Sequence, residues 1–162
     1  MKKINFLNLI ILWALVACKP DITERGAGEY YSLTEGISGS WEIMKVEVND
    51  LSLPVPEKTE ISDYYLNQSA RLALNFDVTD NTYSVENGTL AGSPFGTSGT
   101  FSYQVNDQGF PTGLRMITNG QDTVNFDLLN MVRAIDPVMG ISNVLTACDK
   151  QYAAYQYTFK RK

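Results

Sequence analysis

From Ser38 onward, apolar and polar residues alternate with a period of two, the pattern of strands that bury one face. Trp41 and Ile43 share one parity, and Met44, Val46 and Val48 continue on the other, which predicts a β-bulge near Ile43 and places Met44 inside. Leu72, Leu74, Phe76 and Val78 alternate with Ala73, Asn75 and Asp77; the turn cluster Thr79-Asp80-Asn81-Thr82 then leads to Tyr83 and Val85, a hairpin. Phe101, Tyr103 and Val105 run into the turn Asn106-Asp107-Gln108-Gly109, and Leu114 and Met116 follow. Asn119-Gly120 is a strong hairpin signal before Val124, Phe126 and Leu128. Tyr155, Tyr157 and Phe159 alternate near the end, and one or two further strands are expected between Met131 and Ala147. Only Glu57 to Gln68 carries a helical period, with Ile61, Tyr64, Tyr65 and Gln68 on one face; it is expected to be a short helix capping one mouth, or a structured loop. Short strands joined by tight turns predict an all-β fold. The expected architecture is an antiparallel up-and-down meander closing into a β-barrel of about eight strands, which removes exposed sheet edges.

The first residues follow a different pattern. Lys2 and Lys3 precede an apolar run from Ile4 to Val16, too short for the roughly 20 residues that a membrane-spanning helix needs. It reads as a signal peptide. Leu15-Val16-Ala17-Cys18 then looks like a bacterial lipobox, in which the cysteine thiol takes the lipid. The expected organisation is a lipoprotein signal peptide over 1–17, a lipidated flexible tether over 18–36 and a barrel domain over 37–162. Acyl chains on Cys18 would tether the domain to a membrane surface without embedding it. Cys148 would then lack a partner within the chain and is expected to pack as a small buried hydrophobe, the alternative being a reactive or intermolecular thiol.

Charge and composition narrow the function. Thirteen basic against 18 acidic residues give a net charge of -5, the wrong sign for displacing phosphate counterions, so no nucleic-acid partner is expected. The absence of histidine removes Ser-His-Asp and Cys-His catalysis and every zinc site that uses histidine. Asp77, Asp80 and Glu86 lack calcium-loop spacing, and Gly92 to Gly99 lacks the lysine and following helix of a phosphate loop. No metal and no cofactor is expected.

Gly39-Ser40-Trp41 at the head of the first strand resembles the lipocalin-like proteins, in which the tryptophan closes the barrel floor. The later half resembles an uncharacterised lipocalin-like lipoprotein family of Bacteroidota. The residues that carry this are Ser98-Gly99-Thr100-Phe101-Ser102-Tyr103, Phe110-Pro111-Thr112, Asp136-Pro137, Cys148, and the closing Tyr155, Tyr157 and Phe159. Phe101 stands where that family has tryptophan. The resemblance spans roughly Ser38 to Lys160; it implies a fold and a location in the cell envelope, and no reaction.

Aromatic residues in inward alternation (Phe76, Phe101, Tyr103, Phe126, Tyr157) are assigned to the core. Tyr64, Tyr65, Phe95 and Phe110 lie in loops or the cap and are the ligand-binding candidates at a barrel mouth; Phe95, Phe110 and Tyr65 are expected to form one rim, unless the two phenylalanines tuck under their own loops. Trp41 is expected to be structural. Asp122-Thr123-Val124 matches an O-glycosylation pattern of Bacteroidota, which makes Thr123 a candidate modification site. The leading reading is a non-catalytic outer-membrane lipoprotein, periplasm-facing or on the cell surface, that binds a small apolar or carbohydrate ligand or a partner protein. The alternatives are an accessory envelope lipoprotein without a small ligand and, more remotely, a hydrolase built on a carboxylate pair.

Overall fold

The computed structural model describes residues 35–66, 71–87, 93–118 and 122–162, all within the compact unit Tyr31–Lys162. The expected signal peptide, Cys18 and most of the expected tether lie outside the described residues, as do Gln68 and the expected Asn119-Gly120 turn. The described residues open with a 3₁₀ turn, Glu35–Ile37, so the tether expected to reach residue 36 ends in structure.

Nine antiparallel strands follow: β1 (Gly39–Asp50), β2 (Glu57–Glu60), β3 (Ala73–Asp77), β4 (Thr82–Glu86), β5 (Ser98–Val105), β6 (Pro111–Thr118), β7 (Asp122–Leu128), β8 (Val138–Ala147) and β9 (Lys150–Arg161). One short helix, α1 (Ser62–Leu66), lies between β2 and β3. Each strand from β3 to β9 pairs with the next, β1 pairs with β3, and β9 returns to β1, so eight strands close an up-and-down barrel. The long β1 serves two neighbours along one edge, β3 through Gly39–Glu42 and the extra strand β2 through Glu47–Asp50. The expected helix over 57–68 is therefore shorter than its sequence period suggests. Its first four residues pair with β1 because the charged Glu57–Glu60 stretch is exposed throughout and suits a sheet edge.

The bulge near Ile43 is present, and it corrects the placement of Met44. Ile43 pairs with Phe159 and Lys45 with Thr158, which leaves Met44 as the extra residue; it is turned outward and 43% exposed. Ile43 and Val46 can then both face the core, where each is fully buried.

The barrel has two unlike ends. The floor end holds the 3₁₀ turn, the β3–β4 and β5–β6 turns, the β7–β8 connection and the chain terminus. There Trp41 is fully buried and its Nε1–H donates to Ile37 O at 2.7 Å. Arg161 stacks its guanidinium 4.3 Å from the Trp41 ring and donates to Ser38 O (2.8 Å) and Gly36 O (2.7 Å). The mouth end holds β2, α1, the β4–β5 loop and the β8–β9 hairpin. Between them the interior is filled by Trp41, Phe76, Tyr83, Phe101, Phe126 and Phe159 among other buried side chains.

Candidate functional site

The mouth end is organised around β1. Val46 O accepts from Ile61 N–H at 2.9 Å, and Val46 N–H donates to the buried Ser62 Oγ at 3.1 Å. These bonds set α1 across the opening and turn Tyr65 inward (5% exposed), leaving Tyr64 on the rim (56% exposed). Tyr65 meets Tyr157 edge-on at 6.3 Å, and Tyr157 stacks with Tyr155 at 6.3 Å. Burial pushes the Tyr65 and Tyr157 hydroxyls above their ordinary pKa, so both stay neutral.

A groove of about 260 Å³ lies here, lined by Ile61, Tyr64, Tyr65, Pro94, Asn143, Leu145, Tyr155 and Tyr157. Asn143 follows Met139 and Ile141 in the inward phase of β8 and is 6% exposed. Its Oδ1 is buried and accepts no hydrogen bond from the described residues. It also sits just past the end of a short ladder. The β7–β8 pairing is limited to Asp127↔Ser142 and Leu128↔Ile141, extended by Leu129 N–H to Gly140 O, so the wall parts toward the mouth beyond this point. A buried amide oxygen without a donor is costly and rare in a folded chain.

The four ligand candidates separate. Tyr64 and Tyr65 both line the groove. Phe95 does not form a rim: it is fully buried, stacked on Phe126 at 5.2 Å and edge-on to Tyr157 (5.1 Å) and Phe159 (5.9 Å). The loop is held over the barrel by the Tyr83 hydroxyl, which donates to Phe95 O at 3.0 Å, so the ring works as a plug. Phe110 is exposed but belongs to the β5–β6 turn, where its N–H donates to Asn106 Oδ1 at 2.9 Å. The eight residues of β5 set it at the floor end, roughly 25 Å from the mouth at about 3.3 Å per residue. The expected single rim of Phe95, Phe110 and Tyr65 is therefore absent. The sequence pattern does not single out Asn143, Tyr155 or the pinning Tyr83 as site residues, and it assigns Tyr157 to the core alone. The legible signal was a polar residue in the inward phase of an apolar strand, Met139-x-Ile141-x-Asn143-x-Leu145.

One further expectation changes. Cys148 is exposed, because it and Asp149 form the two-residue β8–β9 turn with φ of 50° and 60°. Burial as a small hydrophobe is thereby excluded. Thr123 is exposed at the start of β7, accessible to a modifying enzyme.

A larger groove of about 430 Å³ lies at the mouth-end tip of β1, lined by Asp50, Ser52, Leu53, Glu57 and Tyr152 among others. Asp50 and Glu57 face each other across β1 and β2. Ser52 donates to Asp50 from both its hydroxyl (2.6 Å) and its N–H (2.9 Å), which holds that carboxyl below its ordinary range. Asp50 is thus no proton donor near neutral pH, and its Oδ1 accepts both Ser52 bonds. The mouth groove is lined by the residue that carries the buried unpaired oxygen and is the better site. Set against known proteins, the chain matches no family model, no curated protein and no solved structure.

Proposed function

We propose that this chain is a non-catalytic binding lipoprotein of the bacterial outer membrane, held there by a lipid on Cys18, and that it takes a small ligand in the groove beneath α1. The observation that carries the reading is Asn143, which lines the tyrosine-rich groove and whose buried Oδ1 has no donor among the described residues. A polar atom kept unserved at a concave, mostly apolar site is the arrangement expected where a ligand supplies the missing bond. A closed eight-strand barrel with Trp41 buried at its floor agrees with what the resemblance to lipocalin-like lipoproteins of Bacteroidota implies.

The accessory role without a small ligand has its own support. Phe95 fills the interior, and Val105, Phe110, Leu129, Met131 and Ile135 expose apolar surface at the floor end, material for a partner protein. The two readings part on Asn143→Leu. Under the binding reading this variant loses stabilisation by every ligand that raises the wild-type melting temperature. Under the accessory reading no small molecule shifts the wild type, and the variant is simply more stable, because it loses a buried unpaired oxygen.

A further inference from the structure

We propose that the occupant of the mouth groove is a neutral sugar ring, stacked against the tyrosines with one hydroxyl on Asn143; this rests on the reading of that groove as the binding site. Among the described residues the lining contains no Asp, Glu, Lys or Arg. A charged group drawn inside would lose water without gaining a counter-charge, which excludes uronic acids, phosphates and carboxylate lipid heads from the groove itself. A plain hydrocarbon fits less well for the opposite reason, since it offers no hydrogen bond to the Asn143 amide in the lining. A sugar meets both conditions: its C–H face packs on aromatic rings and its rim carries hydroxyls. A hydroxyl both donates and accepts, so it serves the Asn143 amide in either orientation. The volume of about 260 Å³ is below the roughly 300–1,000 Å³ of sites for drug-sized ligands, which admits one ring and not a chain. Tyr64 on the rim, 56% exposed and edge-on to Tyr65 at 5.4 Å, is placed to cover the ring from the solvent side.

The experiment is a titration of the full-length chain in a detergent without a sugar headgroup, read by saturation-transfer NMR and by melting temperature. The probes are glucose, galactose, N-acetylglucosamine, glucuronate, galacturonate and decanol, with short oligosaccharides that end in the neutral sugars. At least one neutral sugar should bind, and the uronate of the same stereochemistry at least tenfold more weakly. Asn143→Leu should weaken binding at least tenfold. Tyr64→Ala, on the exposed rim, should weaken it severalfold with an unchanged melting temperature, which keeps the test independent of how Asn143→Leu folds. Tighter binding of an oligosaccharide marks the terminal residue of a glycan as the source, and equal binding marks a free monosaccharide; both uphold the sugar. Binding of decanol with no neutral sugar overturns the ligand class and leaves the site standing. No binding by any probe removes the site as well.

Discussion

Trp41 shows how one side chain is held from three directions. Its ring is buried under the 3₁₀ turn, its indole N–H is spent on Ile37 O, and Arg161 lies across its face. Truncation leaves a cavity and an unpaired carbonyl together. Trp41→Ala is expected to cost about 3–5 kcal/mol, read from the shift of a denaturant midpoint. A folded Trp41→Ala protein with wild-type stability would show that the floor is held by something else. Arg161 carries a distinct requirement, because only a planar guanidinium can stack on the indole and donate to Ser38 O and Gly36 O at once. Arg161→Lys keeps the charge and loses that fork, and it is expected to cost about 2 kcal/mol in the same measurement, in the range of hydrogen bonds from charged groups.

Among the elements, the β4–β5 loop departs most from its sequence appearance. Pro94-Phe95-Gly96 looks like a solvent-facing turn, yet the Phe95 ring is packed against Phe126, Tyr157 and Phe159. Phe95→Ala is therefore expected to lose about 3–5 kcal/mol and to open an apolar cavity that takes up benzene, seen as a benzene-dependent rise in melting temperature. Phe110→Ala, in the exposed β5–β6 turn, is expected to shift stability by under about 0.5 kcal/mol. Equal effects at the two positions would contradict the plug. The 3₁₀ turn is fitted as closely: a Cβ on Gly36 would overlap the Val132 carbonyl, so the chain entering β1 can approach the β7–β8 connection only with glycine there.

For the whole molecule, the ionisable groups define a stability plateau. Hydrogen bonds from Arg71 to Glu42, from Lys45 to Glu47 and from Arg133 to Asp136 hold these carboxylates below their ordinary range. The unfolded chain then binds more protons near pH 4, so stability present above that value falls on acidification through the folded pKa values. Burial raises Tyr83, Tyr103 and Tyr157, which keeps them neutral in the folded state. The unfolded chain loses those protons first near pH 10, so stability also falls as pH rises beyond it. With no histidine, little should change between about pH 5 and 9. A melting curve series across pH checks this, and a step near pH 6–7 would contradict it. The proposed lipid anchor is tested at the same scale: Cys18→Ser should abolish palmitate labelling and release the chain from the membrane fraction, and retention in high salt would refute the anchor.

Period-two alternation and turn chemistry determine which side chains share a sheet face, and so the barrel, the bulge near Ile43 and the burial of Trp41 were legible in the residues alone. These are local properties, set by neighbours two residues apart. What lay beyond the sequence depends on groups far apart in the chain. Whether Phe95 points to solvent or fills the interior is decided by the space left among Phe126, Tyr157 and Phe159 once the barrel closes. Whether Met44 faces in or out turns on which β1 residue the bulge leaves unpaired against β9. The groove arises because α1 from one segment, Pro94 from another and β8 and β9 from a third meet where the β7–β8 ladder stops. Its key residue, Asn143, is a lone polar side chain in an apolar phase. The pattern marks it as anomalous, but only the closed barrel shows that its oxygen is buried with no donor among the described residues, and that the residue lines a groove of a ligand's size.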